Sequence, residues 1–217
     1  MSIAELLTNI TVASDFLPVA AALYNYRRLD PILRLMAVFC MLSVIPDVVG
    51  LVISYLQLRH YNNLFLFHLF DMMAAIFFTL IYHRAFYKSL FKKMTLIFGI
   101  TSVAAMIFNV IFVESIWSYP SVSNTLLSVL LIILSLVYFY QLLSRQEFTY
   151  IEKQGMFWIN SGVLFYYAIT IFLFMLYKKI NDADRSNYYM MQSVMNIIAN
   201  LLYSIGLLCK PQNQKTT

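Results

Sequence analysis

Seven times along its 217 residues the chain runs for about twenty apolar residues and then breaks into a short polar link. Each run is close to the ~20 residues a helix needs to cross the hydrocarbon of a bilayer. The runs are Ile3–Tyr24, Pro31–Gln57, Asn62–Tyr82, Met94–Trp117, Val122–Leu143, Met156–Tyr177 and Tyr188–Cys209. This spacing predicts an all-α membrane protein, a single seven-transmembrane helix bundle over residues 1–217. Composition agrees: 61% of residues are hydrophobic and 12% charged, where a soluble domain is about a quarter charged.

The net charge of +5 is not a nucleic-acid footprint, because the basic residues sit at the ends of apolar runs and act as topology signals. Arg27, Arg28, Arg34, Arg84, Lys88, Lys92, Lys93, Arg145, Lys153, Lys210 and Lys215 fall on one side, eleven in all. Arg59, Lys178, Lys179 and Arg185 make four on the other. The richer side is cytoplasmic, so the amino terminus is expected outside and the carboxyl terminus inside. Nothing basic precedes the first run, and Glu5 stands where the n-region would be, so no cleavable signal peptide is expected. Cys40 and Cys209 give no disulfide framework.

The third run carries His68 and Asp71, three residues apart and so on one helical face, which Ala74 and Ala75 continue. A carboxylate facing lipid costs several kcal/mol, so such residues face a bundle interior and mark function. At ~1.5 Å of rise per residue, Asp71 lies roughly 13 Å below the outer end of its run, Asp47 about 15 Å and Asp15 about 18 Å. His68 and Asn109 come out near 9 Å, with Asn196 close to the level of Asp71. Facing helices would gather these six residues into one outward-facing polar pocket. No lysine or arginine lies at that depth. The acids are therefore protonated and bonded to one another, or they hold a proton, a cation or a positively charged small molecule.

Pro18 and Pro46 each free a backbone carbonyl and can kink their helices. Asn160, Ser161 and Asn200 read as hydrogen-bonding glue between helices. Tyr166 and Tyr167 read mainly as packing, with a ligand wall as the alternative. The link His83–Lys93, with Arg84, Lys88, Lys92 and Lys93, is expected along the inner membrane surface as an anchor or a docking site for a cytoplasmic partner.

Every lysine sits at a helix end or in a link, which excludes a retinal Schiff base. His60 is at the outer surface and His83 at the inner, roughly 22 Å along the third helix from His68, so a three-histidine zinc centre is disfavoured. A mixed site of His68, Asp71 and Asp47 stays open, and with it an intramembrane metal hydrolase. There is no nucleophile elbow, phosphate loop or CxxC. An enzyme is thus disfavoured and no cofactor is expected. A proton- or cation-coupled carrier is the main alternative to a binding module, since carriers use acids near mid-depth, although five glycines in all argue against broken helices.

The segments FHLFD (Phe67–Asp71) and FWINSG (Phe157–Gly162), the latter followed by LFYYAITIFLF, resemble small seven-helix sensor modules of Bacteroidota-type bacteria. Such modules occur alone or joined to histidine kinases. The resemblance implies a multi-pass protein of the bacterial inner membrane, sensing a small ligand from outside and signalling to a cytoplasmic partner. It also implies an acidic residue near Asp71, after the histidine matching His68. The chain stops at Thr217 with no kinase or dimerisation helix, so a separate partner is expected to supply the output. Homodimerisation is a further expectation, as signalling modules often pair.

Overall fold

The computed structural model describes residues 3–56, 63–144, 151–179 and 185–209. Seven helices carry the chain: α1 (Ile3–Asn25), α2 (Pro31–Tyr55), α3 (Leu64–Ala85), α4 (Ser89–Phe112), α5 (Ser121–Leu143), α6 (Gly155–Leu176) and α7 (Arg185–Leu208). All seven are long and apolar enough to cross a membrane. The chain is a multi-pass helical membrane protein. The end of the expected second span (Gln57), the turn at Arg59-His60-Tyr61, the first residue of the expected third span (Asn62), residues 145–150 of the fifth link, residues 180–184 of the last link, and Lys210, Pro211 and Lys215 lie outside the described residues.

Six of the spans fall where the apolar runs place them, within three residues at each end. The fourth is displaced. Expected over Met94–Trp117, it occupies Ser89–Phe112, so Lys92 and Lys93 belong to its first turns and not to a surface link. Long lysine stems can run along apolar surface while the ammonium stays in water, so two lysines need not end a span. The surviving α3–α4 link is short. Phe86 is buried in it, and the backbone N–H of Tyr87 donates to Gln141 Oε1 on α5 (3.4 Å).

Neighbouring helices pack as α1·α2, α2·α3, α3·α5, α5·α6, α6·α7 and α7·α1. These six contacts close a ring. α4 stands outside it against α3 and α5, and only 22% of its span is buried, compared with 50% for α5. α4 is therefore the peripheral helix, with Ile97, Ile100, Phe108 and Ile111 on its exposed face. Gly99 of α4 lies directly against Thr79 of α3. Thr79 in turn donates to Ala75 O (2.6 Å), and Ala74 and Ala75 are fully buried, as small residues at a close helix crossing should be.

The ring is tight at one end, which carries the end of α1, the start of α6 and the end of α7. A Cβ on Gly206 would stand 2.7 Å from Gly155 O and 2.8 Å from Ile159 Cγ1, so α6 and α7 touch there backbone to backbone. Asn25, at the end of α1, donates from Nδ2 to Leu207 O (2.9 Å) and so satisfies one of the carbonyls a helix leaves open at its end. Deeper in, the Tyr82 hydroxyl donates to Asn160 Oδ1 (2.6 Å) and lies 2.8 Å from Ser135 Oγ. The Tyr82 proton is already given to the amide, so the serine donates to the tyrosine. Asn160 Nδ2 completes the set by donating to Ser135 O (3.3 Å). Asn160 thus ties α3, α5 and α6 together as expected. Ser161 does not act between helices, because its hydroxyl donates to Phe157 O of its own helix (2.8 Å).

Candidate functional site

At the other end the ring encloses a cavity of about 1250 Å³. Thr8, Asn9, Tyr55 and Tyr189, all exposed, lie at its rim. On α3 its wall runs from Asn63 to Phe78, fifteen residues or roughly 22 Å of helix. Phe39, Cys40, Phe78 and Tyr203 lie at its deep end, just short of the Tyr82–Ser135–Asn160 network. The cavity is a dead-end vestibule reaching past the middle of the bundle.

Asp15, Asp47 and Asp71 all line it. Asp15 is the best held. Its Oδ1 accepts from Asn200 Nδ2 (2.6 Å) and Asn196 Nδ2 (3.2 Å). Asn200 also donates to Ser14 Oγ (3.0 Å), and Ser14 donates to Thr11 O (2.7 Å). This seam locks α1 to α7. Asp15 Oδ2 is buried without a hydrogen-bond partner among the described residues, and the carboxyl group of Asp47 approaches that of Asp15 across the α1–α2 contact.

Asp71 stands apart on α3. It is 3% exposed, and its Oδ2 has no hydrogen-bond partner among the described residues. Its charged neighbour is Glu114 in the α4–α5 link. The Glu114 carboxylate accepts from Asn109 Nδ2 (2.9 Å) and from the backbone N–H of Val122 (3.1 Å), a favourable place for an anion at the start of α5. Tyr166 joins the two acidic stations: it hydrogen-bonds Gln192 and lies within electrostatic range of Asp15, Asp47 and Asp71.

The six expected ligand residues thus divide. Asp15, Asp47, Asp71 and Asn196 line the cavity; His68 and Asn109 lie behind its wall. His68 points into the α4–α5 link, with Nε2 3.1 Å from Ser118 O. A carbonyl only accepts, so Nε2 carries the proton and Nδ1 is an acceptor, buried with no partner among the described residues. Asn109 is close to the end of α4 because that helix ends at Phe112, and its amide serves Glu114 and Ser123 Oγ (3.2 Å). Both departures follow from the displaced fourth span. With His68 turned away, the mixed set of His68, Asp71 and Asp47 does not form. Among the described residues no three histidine, cysteine or carboxylate side chains converge to hold a metal.

Two cavity residues outside the expected ligand set, Gln192 and Asn200, were legible beside the expected Asn196. Gln192, Asn196 and Asn200 are spaced four apart and so form one polar stripe down α7; all three line the cavity. Tyr166 and Tyr167, read mainly as packing, are both on its wall. Tyr119, whose place depends on folding of the α4–α5 link, closes the side near the rim. It stacks on Tyr177 with ring centroids 3.8 Å apart, and its hydroxyl is 2.9 Å from that of Tyr188. Burial and the adjoining Tyr188 hydroxyl push the Tyr119 phenol above its ordinary range, so it enters this contact protonated.

Taken together, the described residues of the wall include three carboxyl groups, ten Phe and Tyr rings and several amides, and no lysine, arginine or histidine. No family profile, curated protein or solved structure matches this chain.

Of the expected partner-contact residues, Arg84, Lys88 and Lys93 are exposed and Lys92 is half-buried. They bracket the short α3–α4 link at the closed end, on the opposite face of the bundle from the cavity rim.

Proposed function

We propose that this protein is a receptor-like module of the bacterial inner membrane that binds a small organic cation in an outward-facing cavity and signals to a cytoplasmic partner. One observation carries the reading: three carboxyl groups share an aromatic-walled cavity inside the membrane, with no basic side chain among the described residues of its wall. An unpaired intramembrane carboxylate costs several kcal/mol, and a bound cation supplies the missing charge. Aromatic faces add about 0.5–2 kcal/mol per desolvated cation contact. The volume exceeds the ~300–1,000 Å³ typical of ligand sites, which leaves room for an organic ion together with water.

The basic residues at the closed end support an orientation with the cavity outside and Arg84, Lys88, Lys92 and Lys93 inside. The resemblance of FHLFD and FWINSG to bacterial sensor modules supports a signalling role. The dead-end shape favours a receptor over a carrier, because the Tyr82–Ser135–Asn160 network and the Gly155–Gly206 contact seal the route inward. Pro18 and Pro46 lie within the two helices that bring Asp15 and Asp47. A ligand drawing those acids together would bend α1 and α2 at the carbonyls the prolines leave unbonded, and so move the loops at the closed end.

The test is thermal stability of the purified protein with tetramethylammonium, n-butylamine or acetate, for wild type and Asp47→Asn. A ligand at a hundred times its Kd stabilises by about 2.7 kcal/mol. The cations should raise the melting temperature of wild type by several degrees, acetate should not, and Asp47→Asn should lose the response. Equal responses in both proteins would remove the cavity from the account. Amine accumulation in sealed vesicles driven by a proton gradient would make the protein a carrier.

A further inference from the structure

The acids of the cavity are not one cluster. Asp15 and Asp47 approach each other, while the charged neighbour of Asp71 is Glu114. Asp47 lies eight residues from the end of α2 at Tyr55, and Asp71 seven residues from the start of α3 at Leu64. Those intervals correspond to roughly 12 and 10 Å of depth, so the stations are level and separated sideways. α2 and α3 are neighbours, and neighbouring helix axes stand about 8–10 Å apart. Tyr166 is within electrostatic range of all three acids, and Phe67 and Phe70 bring apolar surface to the wall beside Asp71.

Each station has its own unmet demand. Asp15 Oδ2 and Asp71 Oδ2 are both buried, on side chains 5% and 3% exposed, and neither has a hydrogen-bond partner among the described residues. Asp71 also faces the Glu114 carboxylate, which is already engaged by Asn109 and the start of α5. A single ammonium satisfies one station and leaves the other. A tightly held metal ion needs several converging ligands, and no three histidine, cysteine or carboxylate side chains converge among the described residues.

We infer that the cavity selects a short α,ω-diamine, with one ammonium between Asp15 and Asp47, the other at Asp71, and the methylene chain against the aromatic wall. This rests on the reading of the cavity as a cation site and narrows it to a ligand with two charges roughly 6–10 Å apart, matched to the helix spacing. Ammonium donors suit both ends: –NH₃⁺ offers three hydrogens and accepts none, as two unpartnered carboxylate oxygens require.

Isothermal titration compares n-butylamine, 1,4-diaminobutane, 1,6-diaminohexane and 1,12-diaminododecane on wild type and Asp71→Asn. The four- or six-carbon diamine should bind wild type one to one, at least tenfold more tightly than n-butylamine, and the twelve-carbon diamine should lose that advantage. Asp71→Asn should abolish the diamine advantage, so that diamine and n-butylamine bind that variant with the same affinity. The chain-length series on wild type needs no variant to fold. Equal affinities for monoamine and diamine, or two n-butylamines bound with the affinity of one diamine, would overturn the two-station ligand and leave the cation cavity standing. Binding of no amine at all would overturn both.

Discussion

The two halves of this bundle are built to opposite specifications. At the closed end the polar side chains between the helices pair across the bundle: Tyr82, Ser135 and Asn160 serve one another across three helices, Asn25 serves the end of α7, and two glycines let α6 and α7 touch. At its margin Gln141 Nε2 and Gln154 Nε2 are buried without partners among the described residues. At the cavity end the helices part, and among the described residues three carboxyls and ten aromatic rings line the space and two carboxylate oxygens are buried without partners. Open groups also occur off the cavity, at His68 Nδ1 and Gln141 Nε2 for example, but those on carboxylates lie only on the cavity wall among the described residues. The closed half holds the ring together so that the other half can tolerate a void and uncompensated acids.

That contrast is breakable by substitution. The largest effect belongs to Gly206→Leu, whose side chain would have to occupy the space of Gly155 O and Ile159. Overpacking costs typically about 1–3 kcal/mol, and with backbone as the obstacle the upper end is expected, seen as a large fall in melting temperature in detergent. Gly50→Ala at the cavity is the control. Its nearest obstacle is the end of the Asn63 side chain at 3.3 Å, and its melting should hardly change. Similar losses from both would dissolve the distinction between the halves.

Tyr82→Phe comes next. It leaves Asn160 Oδ1 and the Ser135 hydroxyl without their partner, and such orphaned groups cost about 1–3 kcal/mol. Melting temperature should fall while amine affinity holds, because the network lies beyond the deep end of the cavity. Asp47→Asn should do the reverse, changing ligand-free stability by less than about 1 kcal/mol and removing the amine response. The smallest effect concerns Cys209 at the closed end. Burial pushes its thiol up, and the thiolate is the reactive form. Its alkylation by iodoacetamide should be slower than that of a free thiol at pH 8 and should still be climbing at pH values where the free thiol has levelled off.

The fold was legible because lipid permits so few solutions: seven apolar runs of spanning length left only a helical bundle, and six of them sit where they were read. The fourth was misplaced by five residues because Lys92 and Lys93 were counted as link. That error carried into the site, moving Asn109 to the helix end and hiding that the α4–α5 link, with Glu114 and Ser118, would claim Asn109 and His68. Depth along a helix can be read from sequence, and it placed Asp15, Asp47 and Asp71 at levels that all reach the cavity. Rotation about the helix axis is set by packing, so the turn of His68 away from the cavity was not legible. The α7 stripe of Gln192, Asn196 and Asn200 was visible in its four-residue spacing. Its pairing with Asp15 depends on α1 lying against α7, a contact between the two ends of the chain that no local pattern encodes.

Cysteine accessibility tests the contrast most directly. In a chain carrying Cys40→Ala and Cys209→Ala, a single cysteine is introduced by Ser43→Cys on the cavity wall or by Ser135→Cys in the closed half. Each protein is treated with a small, membrane-impermeant cationic thiol reagent from the outside of oriented vesicles. The account predicts rapid modification of the Ser43→Cys protein, slowed by 1,4-diaminobutane, and none of the Ser135→Cys protein. Equal rates at the two positions, or no modification at either, would contradict it.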